Sequence, residues 1–205
     1  IPLIEKLISI DPSDDDFIFR IALLCFDNER YNLSEKYFNI LLSKFYAPDN
    51  INFFLGQIDY KNKRYDEALL HYQRIQQGTF VNTKALNVSK ALLKKYNLEQ
   101  ALTYIDKEIK IKNQNNLLNS LSLKLSIFEE IGESADIINL STQILQTFPN
   151  NERALYSRAL AYEKEGNILS MSKDFDEMIK LNQYNSIALN AYGYSLALHK
   201  LHIDK

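Results

Sequence analysis

The 205-residue chain is short of residues that turn or cross-link a backbone: it holds five glycines, four prolines and one cysteine. An all-β chain needs frequent tight reversals, so this scarcity points to helices joined by short connections. The lone Cys25 excludes an internal disulfide and leaves the redox compartment open. No run reaches the roughly 18–20 consecutive apolar residues of a membrane span. The net charge of −2 favours neither nucleic acid nor an anionic membrane.

Signatures of chemistry are equally sparse. There is no glycine-rich phosphate loop, no H-x-x-x-H and no C-x-x-C. His71 reads as solvated, and His199 and His202, with Asp204 close by, as a frayed helix end. Cys25 falls on a packing face with no histidine near it in sequence, which makes it a buried structural thiol. Asp14-Asp15-Asp16 and Glu129-Glu130 suit caps and solvated faces. Lys94, Lys95, Lys107, Lys110 and Lys112 form a basic patch too thin, and too balanced by Glu99 and Glu108, for nucleic acid. The reading is therefore of no enzyme, no cofactor and no metal.

What is present is helical periodicity. From Leu55 to Ile75 the chain reads as two amphipathic helices and a tight turn. Gly56 and Ala68 are small where such helices cross, so their backbones can approach closely. The pattern recurs. Ala22, Gly56, Ser89, Leu125, Ala159 and Gly193 follow one another at intervals of 34, 33, 36, 34 and 34 residues. In the numbering of one unit these residues stand at position 8, the small residue of the second helix at position 20 and an aromatic at position 24.

The predicted units are 13–48, 49–81, 82–115, 116–151 and 152–185, preceded by a lone second helix at 1–12 and followed by a lone first helix at 186–205. Ser13 to Asp16 form a good helix start, Gly78 reads as a C-cap, and a two-residue insertion lies within Lys112–Asn116. Leu125 and Ile137 occupy positions that are small elsewhere, which predicts a wider or rotated helix pair in the fourth unit. Starting at Ile1 with no signal-like segment and stopping just after a helical pattern, the chain reads as a fragment.

This register resembles the tetratricopeptide repeat (TPR), a helix–turn–helix unit of 34 residues. The resemblance implies an all-α fold, a right-handed superhelical α-solenoid of antiparallel helix pairs in one array over 1–205, with a concave groove lined by first helices. In such proteins positions 2, 5, 6, 9, 12 and 13 face the groove. Carried onto this chain, they yield an apolar stripe in the N-terminal half. Its expected contact residues are Phe19, Leu23, Phe26, Phe53, Gln57, Tyr60, Leu86, Lys90 and Leu93. An apolar patch not needed for packing marks a binding surface, and aromatics are its usual anchors. The carboxylate clamp of some TPR proteins, Lys at position 5 with Asn at position 9, occurs in no unit, which points to capture of an apolar helix or extended segment.

Residues 152–199 are more particular. Leu155-Tyr156-Ser157-Arg158-Ala159-Leu160, Lys173-Asp174-Phe175 and Ala188-Leu189-Asn190-Ala191-Tyr192-Gly193-Tyr194 resemble a proteobacterial TPR family, with mild departures at Tyr192 and Ser195. Many members are outer-membrane lipoproteins facing the periplasm that act as non-catalytic adaptors for processing proteases and cell-wall hydrolases. The resemblance implies a protein or peptide partner and a periplasmic location, with any lipid anchor outside this stretch. The alternatives are a structural subunit buried in a larger assembly and a cytoplasmic location.

Overall fold

In the computed structural model the described residues are 13–199, together with residues 6, 8 and 11. The lone second helix expected at 1–12 falls almost wholly outside them, as do His202 and Asp204. Eleven α-helices and no strand occur among the described residues. By proximity the chain divides into two compact units, 1–108 and 109–205, and the division falls beside the polar insertion within Lys112–Asn116.

The first unit holds three helix pairs. These are α1 (Asp15–Asp27) with α2 (Tyr31–Ser43), α3 (Pro48–Lys61) with α4 (Tyr65–Arg74), and α5 (Lys84–Lys95) with α6 (Leu98–Glu108). A single 3-10 turn, Val81–Thr83, precedes α5. The second unit holds α7 (Gln114–Ile131) with α8 (Ser134–Thr147), α9 (Glu152–Lys164) with α10 (Ile168–Leu181), and a last first helix, α11 (Ser186–Leu198). Within each unit every helix packs on the next one in the chain.

Short polar side chains start several of these helices. Asp14 accepts the Phe17 N–H at 2.8 Å, and Asp15 and Asp16 place negative charge at the positive end of α1. Asn113, Asn151, Asn167 and Asn185 cap α7, α9, α10 and α11 in the same way. Pro48, expected at the end of the first unit, instead opens α3, where a missing N–H costs nothing. Gly78 does not cap α4, which ends at Arg74; it sits in the following loop with φ +82°.

The turn inside four of the five pairs is equally regular; the third differs, with Tyr96 at φ −121°. Glu29, Lys63, Gly132 and Gly166 share position 15, and all four have positive φ, between 57° and 84°. Glycine takes this conformation without the Cβ clash that the other two residues bear.

Close crossing at positions 8 and 20 then brings the pair together. A Cβ added at Gly56 would lie 2.5 Å from Cε1 of the Tyr72 ring, so the ring occupies the space that glycine leaves. In the first repeat the Ser34 hydroxyl donates to the Ala22 carbonyl at 2.9 Å across the same crossing. Ser34, Ala68 and Ala101 are all fully buried. In the fourth repeat, Leu125 and Ile137 hold these positions, and α7 and α8 make far fewer close backbone approaches than the other pairs. The fourth pair is thus less closely packed, as a wider or rotated pair would be.

Three substitutions, followed by chemical denaturation, test these geometries. Gly56→Ala should destabilise by about 1–3 kcal/mol, because the buried Tyr72 ring must move. Gly193→Ala, at the same register position but with nothing within 4 Å, should be neutral or stabilising by up to about 1 kcal/mol. Gly132→Ala should cost about 1–2 kcal/mol through its left-handed backbone. Equal effects at Gly56 and Gly193 would contradict the crossing geometry.

Candidate partner-binding surface

The nine residues expected to meet a partner lie on three first helices. Phe19, Leu23 and Phe26 are on α1, Phe53, Gln57 and Tyr60 on α3, and Leu86, Lys90 and Leu93 on α5. All nine are half-buried. They share a helical face because their spacings of three, four and seven residues return to one side of an α-helix.

The structure gathers some of them into one aromatic cluster and leaves others apart. Phe54 is its hub. Its ring meets Phe19 at 6.3 Å, Phe26 at 5.3 Å, Phe53 at 5.2 Å and Phe80 at 5.6 Å, and stacks on the buried Phe38 at 5.3 Å. Phe53 lies flat on Phe80, with centroids 3.8 Å apart. Phe19 also meets Tyr46 at 5.8 Å, and the Tyr46 hydroxyl donates to Asp16. That bond holds the Tyr46 phenol above its ordinary pKa. Tyr60 turns instead to Tyr65, 5.7 Å away. Leu86, Lys90 and Leu93 continue the face on α5, outside the aromatic cluster.

Phe54, Tyr46 and Phe80 are thus part of the surface although they were not among the nine. Phe54 had a signal, since it holds groove position 6 beside Phe53. Phe80 had none, because it lies in a loop that no periodicity describes.

A polar network braces the same helices. Arg64, in the turn before α4, donates from Nε to Asp59 at 2.8 Å and from Nη2 to Glu35 at 2.9 Å, tying α3 to α2. His71 Nδ1 lies 2.8 Å from Asn52 Oδ1, and its Nε2 lies 3.7 Å from Asp59. His71 is therefore not solvated; its side chain is 18% exposed. Periodicity alone misses this, because Asn52 and Asp59 of α3 reach across to position 23 of α4. Burial, with Arg74 adding to it, lowers the His71 pKa. Burial raises that of Asp59 against the opposing pull of Arg64.

Cys25 is buried as expected, and burial pushes its thiol up, away from the reactive thiolate. Among the described residues there is no group of three or more potential metal ligands, and no helix is long and apolar enough to cross a membrane. His199 is half-buried, with Nε2 3.6 Å from Glu163 Oε1.

The surroundings of this chain among known proteins agree with the repeat geometry. No family model matches it. A TPR repeat-containing protein of Pseudomonas aeruginosa is 25% identical over 149 residues, covering 73% of this chain and 25% of that protein. The chain thus spans a quarter of the length of this curated relative. A thermophilic TPR protein of Thermus thermophilus has a similar structure, with a TM-score of 0.53 at 14% identity over 89% of this chain and 99% of the other. YrrB, a TPR protein with an unusual peptide-binding site, gives a TM-score of 0.48 at 15% identity over 91% of this chain and 96% of its own. The fold is that of tetratricopeptide repeats.

The network makes stability depend on pH. The folded chain holds a proton on His71 less readily than the unfolded chain, which protonates it below about 6.5. Acidification through that value should therefore cost stability, while protonation of Asp59 acts in the opposite sense at lower pH. Denaturation midpoints at about pH 7.5 and about pH 5.5 should fall less in His71→Gln than in the parent. An unchanged pH dependence would remove His71 from this role.

Proposed function

We propose that this chain, which belongs to the tetratricopeptide-repeat proteins, is a non-catalytic interaction module that takes up a segment of a protein partner on the first-helix face of its N-terminal unit. The observation that carries the reading is the concentration of half-buried apolar side chains on α1, α3 and α5. Phe19, Leu23, Phe26, Phe53, Tyr60, Leu86 and Leu93 keep part of their surface open to solvent even after the helices have packed. Gln57 and Lys90 add polar contacts within the same face. Burying such a surface against an apolar helix or extended segment would contribute about 25 cal/mol per Å² of apolar area removed from water.

The finer reading is an adaptor that recruits one protein to another, with a periplasmic protease, a cell-wall enzyme or its substrate as partner. It rests on the resemblance of residues 152–199 to periplasmic adaptors, and the same resemblance supports a periplasmic, outer-membrane-associated location. Repeats of this kind host many functions, so partner and compartment need direct measurement.

The aromatic stack makes Phe53 a poor probe, because Phe53→Glu would also strip a ring from Phe80. Leu23→Glu combined with Gln57→Arg charges the face while sparing that stack. Affinity capture from the native cell should lose its partner by about tenfold or more, with circular dichroism unchanged. Undiminished capture by the double variant would overturn the surface. Fractionation of the native cell, with the partner followed alongside, tests the location.

A further inference from the structure

The register that builds an aromatic knot in the first unit leaves it unbuilt in the second. Where α1, α2 and α3 meet, Phe26 packs against Tyr31 at 5.8 Å and against Phe54 at 5.3 Å. These three are position 12, position 17 and position 6 of the following repeat. The same count from Leu125 and Ala159 lands on Glu129, Ser134 and Ser157. Three rings have become one carboxylate and two hydroxyls. Position 17 is large in every other repeat, as Tyr31, Tyr65, Leu98 and Ile168.

The space is not refilled. A pocket of about 380 Å³ opens there, lined by Glu129, Ser134, Ile137, Tyr156, Leu160 and Lys164 among others. That volume falls within the range of small-ligand sites, about 300–1,000 Å³. Its walls are mostly apolar and its polar groups are few. The Ser157 hydroxyl donates to Glu129 Oε1 at 2.6 Å, and Arg153 Nη2 donates to Glu129 Oε2 at 3.0 Å. Lys164 Nζ donates to the Gly132 carbonyl at 2.6 Å. Ser134 is only 4% exposed, yet its Oγ has no hydrogen-bond partner.

We propose that this pocket, on the second unit and separate from the N-terminal face, receives a tyrosine side chain of a protein partner. The chain itself indicates the shape, since a tyrosine ring fills the equivalent space in the first two repeats. The polar groups select the hydroxyl. Each Glu129 oxygen already accepts one bond and retains capacity for another, so a phenol can donate to it. Ser134 lines the pocket, and its buried hydroxyl, costly to leave without a partner, is the nearest unsatisfied polar group. A cationic side chain is disfavoured, because Lys164 lines the pocket and Arg153 already pairs with Glu129. An aliphatic side chain would fill the walls but leave the polar groups unanswered.

The test is a titration of the whole chain with N-acetyl-tyrosinamide, followed by NMR at the methyl groups of Ile137, Leu160 and Ala161. Saturable shifts confined to these methyls are expected. N-acetyl-phenylalaninamide should bind about fivefold more weakly, the effect of one net hydrogen bond, and N-acetyl-lysinamide should give no saturable shift. Ser134→Tyr should supply the ring from within, abolish the response and raise the thermal midpoint. Ser134→Leu, which installs the residue type of Leu98, does the same with a smaller side chain if the tyrosine variant does not fold. Absence of saturable shifts, an equal response to the phenylalanine analogue, or full binding by a filled-pocket variant would each overturn the assignment. None of these outcomes bears on the N-terminal face, which Leu23 and Gln57 probe.

Discussion

Everything in this structure depends on how closely two helices can cross. A helix has one apolar stripe, and one partner cannot cover it all. The small residue at position 8 lets the second helix of the same repeat come near enough to bury part of that stripe. The large side chain at position 24 fills what remains, as the Tyr72 ring does over Gly56. The uncovered part is left to the next repeat. Stability therefore arises between neighbours, and each unit is a sum of such contacts.

That constraint also explains which side chains are left over. The second helices are spent on packing inside and between repeats. The first helices have a face left over, and what that face carries is decided by side chains that the crossing does not need. In the N-terminal unit it carries phenylalanine and tyrosine. In the C-terminal unit the equivalent positions hold Glu129, Ser134 and Ser157, so the same scaffold presents a polar-floored pocket instead of an aromatic cluster. One architecture thus offers two different chemistries without altering a helix boundary.

Charged groups add direction to this packing. Arg64 joins Asp59 to Glu35 across two repeats, and Arg158 donates to both oxygens of the buried Asp174, at 2.9 and 2.7 Å. Buried pairs of this kind add little net stability over apolar contacts, but breaking one strands a charge. Two-pronged arginine geometry defines which residues face one another, and so holds the helices in register.

The sequence by itself determined the helices, their pairing and their order. Spacings of 33 to 36 residues repeat because each unit must present the same small residue at the same crossing, and that demand is local enough to read along the chain. It also announced a less closely packed fourth pair, since Leu125 and Ile137 are too large for a close approach. The tertiary structure alone decided how the surface is shared. Phe80 reaches Phe53 from a loop without periodicity, His71 is half-buried by a helix of its own repeat, and Ser134 leaves open a space that α7, α8 and α9 surround. Each depends on side chains meeting across elements, and a one-dimensional period does not contain that distance.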